Sequence, residues 1–137
     1  NYNPRTPWSF YANASWQDEP EIRGIEKEPL PGGELVYPVN IPPEWRFNLG
    51  MAFSGDRFFW SANANYQDEA FWTDILDSRY FGPTDSFTSV NVGAGYRFGE
   101  KVTLQVDGQN VFDEEIQQHV FGDIISRKVT GRIIIDF

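Results

Sequence analysis

Apolar and polar side chains alternate along much of the chain with a period of two residues. In the first such segment Trp8, Phe10 and Trp16 fall on one side of an extended backbone, while Ser9 and Asn13 fall on the other. This period is that of β-strands with one apolar face. The pattern therefore predicts an all-β fold. We expect six strands, at about residues 7–19, 44–55, 57–70, 86–99, 101–112 and 126–137.

The connections between the predicted strands alternate between short and long. The tight, Gly-containing turns SGDR (residues 54–57) and FGEK (residues 98–101) join strands two to three and four to five. The other connections carry Pro, Gly, Asp and Glu and are predicted to be loops, at residues 18–44, 69–86 and 111–127. We expect an antiparallel meander with all short turns at one end and all long loops at the other.

Aromatic side chains stand near the ends of the apolar face, as at Trp8 and Trp16 in the first strand and Trp60 and Tyr66 in the third. The strand between Trp8 and Trp16 is roughly 26 Å long at about 3.3 Å per residue. This spacing, with a strongly polar opposite face, is typical of the aromatic girdles of a transmembrane β-barrel. The alternative is a soluble sandwich or small barrel whose apolar face is its core.

Strand number limits how such a barrel forms. About eight strands is the small limit for a membrane barrel, and an open sheet in lipid would leave two unpaired edges. We therefore expect the chain to assemble with others or to be part of a larger barrel. The chain begins at Asn1 without an initiator Met, which suggests a processed product or a fragment.

Composition excludes several classes of function. The net charge of −9 argues against a nucleic-acid partner, which would need a basic surface. The absence of cysteine excludes disulfides, thiol nucleophiles and cysteine-based metal sites. His119 is the single histidine, and no Ser/His/Asp arrangement can be argued from its spacing. We predict no catalytic residue, no metal site, no cofactor and no enzymatic activity.

The closing part of the sequence carries a family resemblance. VTLQVDGQNVFDEEI (residues 102–116) and ISRKVTGRIIIDF (residues 125–137) resemble the last two strands of TonB-dependent outer-membrane receptors. IPPEWRFNLGMAF (residues 41–53) resembles the Pro-Glu-Trp strand of the same family. In that family the penultimate strand runs into an Asn-Leu-Phe-Asp-like motif, represented here by Asn110, Val111, Phe112 and Asp113.

The resemblance implies that residues 1–137 are the C-terminal six strands of a 22-stranded barrel, with the plug domain and TonB box outside this sequence. It implies a Gram-negative outer-membrane receptor that takes up an iron–siderophore complex or a similar scarce nutrient. Its partners would be membrane lipid, the remaining strands and plug, the TonB complex, the barrel-assembly machinery and an extracellular small molecule. The C-terminus would be periplasmic. A self-standing or oligomeric porin-like barrel and a soluble all-β binding module remain alternatives.

Four loop rings are candidate ligand contacts: Trp72, Tyr80, Phe81 and Phe121. Such receptors commonly bind their ligands through loop aromatics, although loop rings also pack one loop on another. Acids crowd the same loops, among them Asp68, Glu69, Asp74, Asp77 and Glu115. These acids suggest either a solvated surface or capture of a cation.

Two further expectations concern the ends and the polar face of the strands. Phe137 resembles the C-terminal signal by which outer-membrane proteins are recognised during assembly; it would also serve as the last lipid-facing girdle residue. On the polar face, opposite charges on nearby strands predict a series of cross-strand ion pairs. The residues concerned are Arg46, Arg97, Arg127, Arg132, Asp107 and Asp136.

Overall fold

The computed structural model describes residues 6–73 and 78–137. The described strands are β1 Trp8–Trp16, β2 Glu28–Pro29, β3 Leu35–Val36, β4 Trp45–Ser54, β5 Phe58–Gln67, β6 Ala70–Trp72, β7 Gly82–Thr84, β8 Phe87–Phe98, β9 Val102–Gln109 and β10 Lys128–Ile135. Within these described residues, a 3₁₀ turn occupies Ser78–Tyr80. No helix in this part of the chain is long and apolar enough to cross a membrane.

Six of these strands form one sheet in the order β1-β4-β5-β8-β9-β10. Every neighbouring pair is antiparallel, and the order follows the chain, so the sheet is the predicted meander. Each of the six strands lies inside the range predicted for it. The sheet does not close on itself: β1 and β10 pair on one side only among the described strands.

The register between strands aligns the apolar residues of neighbouring strands with each other, and likewise the polar residues. One row of paired residues crosses all six strands on the apolar face and consists of Trp8, Phe53, Trp60, Ala94, Val106 and Gly131. The next row lies on the polar face and consists of Ser9, Ala52, Ser61, Gly93, Asp107 and Thr130. Because side chains in a strand alternate between faces, a register shift of one residue would mix the two rows.

Aromatic rings gather at both ends of the apolar face. At the short-turn end, the Trp8 ring lies 5.0 Å from Phe53 and 5.7 Å from Trp60, measured between ring centroids. At the long-loop end, Trp45 lies 6.2 Å from Trp16 and 5.3 Å from Phe47. Trp8–Phe53 and Trp16–Trp45 join neighbouring strands, Trp8–Trp60 reaches from β1 to β5, and Trp45–Phe47 lies along β4. The rings therefore form two bands with small and aliphatic side chains between them.

The polar face is the concave side of the sheet. A concavity of about 710 Å³ spans β5, β8, β9 and β10, and it is lined by polar side chains that include Asn63, Asn91, Gln105, Asp107 and Arg132. The apolar rows therefore lie on the convex side. This curvature matches a barrel wall with a polar interior.

Two aromatic rings on the polar face lie over glycines of the adjacent strand. Tyr11 covers Gly50 and Phe59 covers Gly95, and a Cβ at either glycine would overlap the ring. The guanidinium of Arg97 lies 4.6 Å from the centroid of the Phe59 ring. A side chain at either position would displace the ring, because the rings occupy the space that it would take.

The predicted series of ion pairs across the polar face is wrong. Among the described residues the ion pairs are Arg23–Glu21 and Arg127–Asp113, the latter 3.7 Å between nitrogen and oxygen. Register explains the difference: Asp107 lies opposite Thr130, and its carboxylate accepts hydrogen bonds of 2.9 Å from Gln105 instead. Arg97 likewise lies opposite Thr103 and donates to the Gly55 carbonyl at 2.9 Å.

The long connections contain structure that the sequence pattern did not predict. β2 pairs with β3, and β6 pairs with β7, each forming a small hairpin between strands of the large sheet. The most buried side chains lie at this long-loop end and include Pro43, Ala70, Thr84, Phe87, Asn110 and Ile116. The packed interior of this chain therefore lies between its loops, because the sheet is a single layer.

We predict that Gly95→Ala destabilises the folded protein by about 1–3 kcal/mol, since the added methyl must displace the Phe59 ring and with it Arg97. The measurement is the free energy of unfolding in urea, with the protein folded in detergent micelles. Gly131→Ala is the matched control, because nothing lies within 4 Å of a Cβ there. Equal losses in the two variants would contradict the role given to Phe59.

Candidate functional site

Asn110 is the buried centre of the connection that leaves β9. Its side chain is 1% exposed. The amide Nδ2 donates to the carbonyls of Glu114 at 2.7 Å and Ile125 at 2.9 Å, and Oδ1 accepts from the Glu114 N–H at 3.1 Å. One side chain therefore holds both ends of the loop between β9 and β10. Three satisfied hydrogen bonds explain why a polar side chain is tolerated in this interior.

The motif formed by Asn110, Val111, Phe112 and Asp113 is a tight turn. Asn110 and Asp113 adopt left-handed backbone angles, with φ of 47° and 59°, a conformation that Asn and Asp tolerate better than most residues. The Asp113 N–H donates to the Asn110 carbonyl at 2.9 Å. Oδ1 of Asp113 accepts from the Arg127 N–H at 2.8 Å, which fastens the turn to the segment before β10. Phe112 is 76% exposed, so its ring takes no part in these contacts. The turn at residues 110–113, with the hydrogen bonds of Asn110 and Asp113, is called the Asn110 joint below.

The same turn is attached to the polar face of the sheet. The Asn110 N–H donates to Oδ1 of Asn91 at 3.0 Å. Nδ2 of Asn91 in turn donates to Oδ1 of Asn63 at 2.8 Å. The Val111 N–H donates to the Val90 carbonyl at 2.9 Å and extends the pairing of β8 with β9. The loop after β9 is thus anchored to two strands of the large sheet.

A row of four rings lies at the long-loop end, formed by Trp72, His119, Phe121 and Tyr80, and is called the ring row below. The centroids of Trp72 and His119 are 4.7 Å apart, those of His119 and Phe121 are 5.9 Å apart, and those of Phe121 and Tyr80 are 5.8 Å apart. The row joins the connection between β5 and β8 to the loop between β9 and β10. Three of the four predicted ligand contacts therefore lie side by side.

Phe81, the fourth predicted contact, does not join the ring row among the described contacts. Its N–H donates to the Ser78 carbonyl at 3.2 Å, which closes the 3₁₀ turn beside Tyr80. His119 was not predicted to be part of the site. Its position between Trp72 and Phe121 depends on the folding of two loops that are distant in sequence. The Gly122 N–H donates to the His119 carbonyl at 2.7 Å and closes a turn at this point of the loop.

Hydrogen bonds fix the rings at the inner end of the row. The Trp72 indole N–H donates to Oγ1 of Thr84 at 3.1 Å, across the hairpin of β6 and β7. The Phe121 N–H donates to Nδ1 of His119 at 3.2 Å. At the outer end, Tyr80 is 44% and Phe121 is 54% exposed. The row thus combines rings that hydrogen bonds fix in place, at Trp72 and His119, with rings that are about half exposed, at Tyr80 and Phe121. A flat or apolar molecule can stack on such a surface.

Two other aspects of the site concern metal ligands and the C-terminus. No group of three or more His, Asp or Glu side chains arranged to hold a metal ion is found in residues 6–73 and 78–137. The acids Asp74 and Asp77, part of the acidic-loop expectation, lie outside the described residues. At the other end of the sheet, β10 stops at Ile135, and the Asp136 N–H adds one more bond to the Lys101 carbonyl at 2.9 Å. Phe137 follows with its side chain fully exposed.

A curved meander with a polar concave face, an apolar convex face, two bands of rings and alternating short turns and long loops is the construction of a transmembrane β-barrel wall. The family model described as "TonB dependent receptor-like, beta-barrel" matches residues 1–111. The chain belongs to this family, whose members are outer-membrane receptors and transporters. No curated protein and no solved structure matches the chain.

We predict that Asn110→Ala destabilises the protein by about 3 kcal/mol, because three side-chain hydrogen bonds are lost and a residue without Asn's tolerance must take φ of 47°. The measurement is urea unfolding, together with protease cleavage within residues 110–127. Asn13→Ala is the matched control, since Asn13 makes one exposed side-chain bond, accepted from Asn48. Equal effects of the two substitutions would show that Asn110 does not hold the loop between β9 and β10.

Proposed function

We propose that this chain forms part of the barrel of a TonB-dependent receptor that captures a scarce nutrient, an iron–siderophore complex or a similar compound, for import across the outer membrane. The observation that carries the proposal is the ring row. Loops from two separate connections bring Trp72, His119, Phe121 and Tyr80 together at the long-loop end. A structural loop contact needs no exposed rings, whereas Tyr80 and Phe121 keep about half of their surfaces open.

In this proposal the long-loop end faces the exterior and the short-turn end faces the periplasm. The support is the general construction of outer-membrane barrels, which have short periplasmic turns and longer extracellular loops. Ile135 of β10 lies opposite Val102, next to the short turn between β8 and β9. The C-terminus is therefore periplasmic in this orientation, and the ring row faces the incoming ligand.

The proposal also assigns partners to the faces and edges of the sheet. The convex apolar face contacts membrane lipid. The open edges of β1 and β10 pair with the remaining barrel strands, since unpaired backbone groups are not tolerated in lipid. The concave polar face looks into the lumen, where the plug domain of the complete receptor lies. Coupling to the TonB complex then belongs to the N-terminal part of that receptor.

The two alternative functions explain fewer observations. A porin-like oligomer would also satisfy the strand edges, but it gives the ring row no purpose. A soluble binding module would have to cover its apolar face. In this sheet that face stays open on the convex side, with Phe10 70% and Ile133 68% exposed. The receptor therefore accounts for both the sheet and the loops.

We predict that Trp72→Ala and Phe121→Ala in the full-length receptor reduce TonB-dependent growth on the nutrient that it imports. The physical reason is the loss of stacking, worth about 0.5–1.5 kcal/mol for an aromatic pair, or up to about tenfold in affinity. The nutrient is found by comparing a receptor deletion strain with its parent across iron chelates and other limiting nutrients. Growth that requires both the receptor and TonB identifies it.

The matched control for these variants is Phe112→Ala, which removes a loop ring at the same end that is 76% exposed and outside the ring row. Receptor abundance in the outer membrane is measured in every strain, so that an assembly defect is not mistaken for a binding defect. Unchanged growth of the Trp72 and Phe121 variants at normal abundance would refute the ligand-contact role.

We predict that deleting Phe137 lowers the amount of assembled receptor in the outer membrane, because the barrel-assembly machinery is proposed to recognise the exposed C-terminal ring. The readout is the fraction of receptor with heat-modifiable gel mobility. Phe98→Ala is the matched control: Phe98 is an apolar-face ring, 51% exposed, at the same end of the sheet. Normal assembly without Phe137, or an equal loss in the control, would refute an assembly signal.

A further inference from the structure

We propose that the ring row selects a ligand with a positive charge and disfavours an anionic chelate. This inference rests on the proposed function, since it takes the row as the ligand contact and adds the charge of the molecule that binds. Two independent features carry it: the chemistry of the ring faces, and the sign of the groups that line the concavities beside them.

Aromatic faces attract cations, because the ring quadrupole places negative potential above and below the plane. Trp attracts a cation more strongly than Tyr or Phe does. The loops of this chain already contain such contacts. The Lys27 ammonium lies 4.9 Å from the centroid of Tyr37, and the Arg79 guanidinium lies 5.9 Å from the centroid of Tyr80. The second contact involves a member of the ring row itself, so a cation of the chain already lies over one ring of the row.

Carboxylates line a concavity that adjoins the row. This concavity, about 310 Å³, is bordered by Asp85, Glu115, Thr84 and Gln117, with Pro83 and Ile124. Thr84 is the residue whose hydroxyl accepts the Trp72 indole N–H at 3.1 Å. Glu115 and Gln117 precede His119 in the same loop. The concavity that Asp85 and Glu115 border therefore shares Thr84 with the hydrogen bond that holds Trp72 at the inner end of the ring row.

A second concavity on the β6–β7 hairpin has the same sign. It measures about 390 Å³ and shares Pro83 with the first. Its charged lining residues are Glu19, Glu44, Asp68 and Glu69. Among the described lining residues of the two concavities, no Lys or Arg is present.

The sum of these groups decides the preferred charge. Six carboxylates line the two concavities, and Arg79 is the one basic side chain in contact with a ring of the row among the described contacts. An anion stacked on the rings would lose hydration close to like charges without gaining a basic partner in either concavity. A cation gains both the ring faces and the carboxylates, so the preference follows from two attractions of the same sign.

The test compares two flat probes of matched size on the purified full-length receptor in detergent micelles. N-methylquinolinium carries a positive charge, and quinoline-2-carboxylate carries a negative charge. Binding is measured by equilibrium dialysis at low and at high salt. We expect the cation to bind about tenfold more tightly at low salt, and the difference to shrink at high salt because exposed charges are screened.

Variants separate the charge from the rings. The double variant Asp85→Asn with Glu115→Gln keeps the shapes of the side chains and removes two charges. It is expected to narrow the difference between the probes to about threefold. Glu100→Gln is the matched control, because Glu100 is an exposed acid in the short turn between β8 and β9, at the opposite end of the sheet. The double variant leaves the rings in place, and Trp72→Ala removes stacking for both probes.

Each outcome has a separate meaning. Equal or tighter binding of the anion, with both probes still weakened by Trp72→Ala, overturns the charge preference and leaves the ring row as a ligand site. If neither Trp72→Ala nor Phe121→Ala alters the binding of either probe, the ring row is not a ligand site, and the proposed function and the charge preference both fail. If Glu100→Gln reduces the difference between the probes as much as the double variant does, the effect comes from the net charge of the receptor. That result overturns the proposal that Asp85 and Glu115 act locally.

Discussion

The pairing of backbone amides and carbonyls between antiparallel neighbours is the constraint on which this structure depends. A single-layer sheet has no interior of its own, and in lipid an unpaired backbone polar group costs several kcal/mol. Each strand of the large sheet is therefore defined by its neighbours, and the register decides which side chains share a face. The bands of rings and the concave polar surface follow from this pairing, and β1 and β10 each keep one unpaired edge among the described strands.

Packing between side chains is concentrated elsewhere, at the long-loop end. Ile116 and Asn110 are almost fully buried, although both belong to a connection that carries no strand of the large sheet. The loop between β9 and β10 closes on itself through the bridge between Ile116 and Ile125 and through the side chain of Asn110. The sheet thus supplies a regular frame, and the loops supply the small core that holds the ring row.

The sequence predicted the sheet well because its signals are local. A period of two residues and two tight turns were enough to define six strands and their order. The cross-strand ion pairs were predicted wrongly, because a shared face does not make two residues neighbours: register places Asp107 opposite Thr130 and Arg132 opposite Gln105. The sequence of one strand shows which of its side chains share a face. The cross-strand neighbour of a residue, however, depends on the register between two strands.

The site was harder to predict for the same reason. Trp72, Tyr80 and Phe121 were identified by residue type and loop position, and the fold brings them together. The link between them, His119, has no signal in the local sequence. Its ring contact with Trp72 arises only once the hairpin of β6 and β7 and the loop after β9 have folded against each other. A lone histidine in a loop is therefore uninformative until the tertiary structure is known.

The joint at Asn110 relates these two parts of the molecule. Its backbone N–H is bound by Asn91 on the polar face, and its side chain binds the loop that carries His119 and Phe121. The turn at Asn110 and Asp113 requires two left-handed residues in four positions, which few residue types accommodate. A change at this joint would alter the ring row without touching a ring. The motif that carried the family resemblance is thus also the element that fastens the loop with His119 and Phe121 to the sheet.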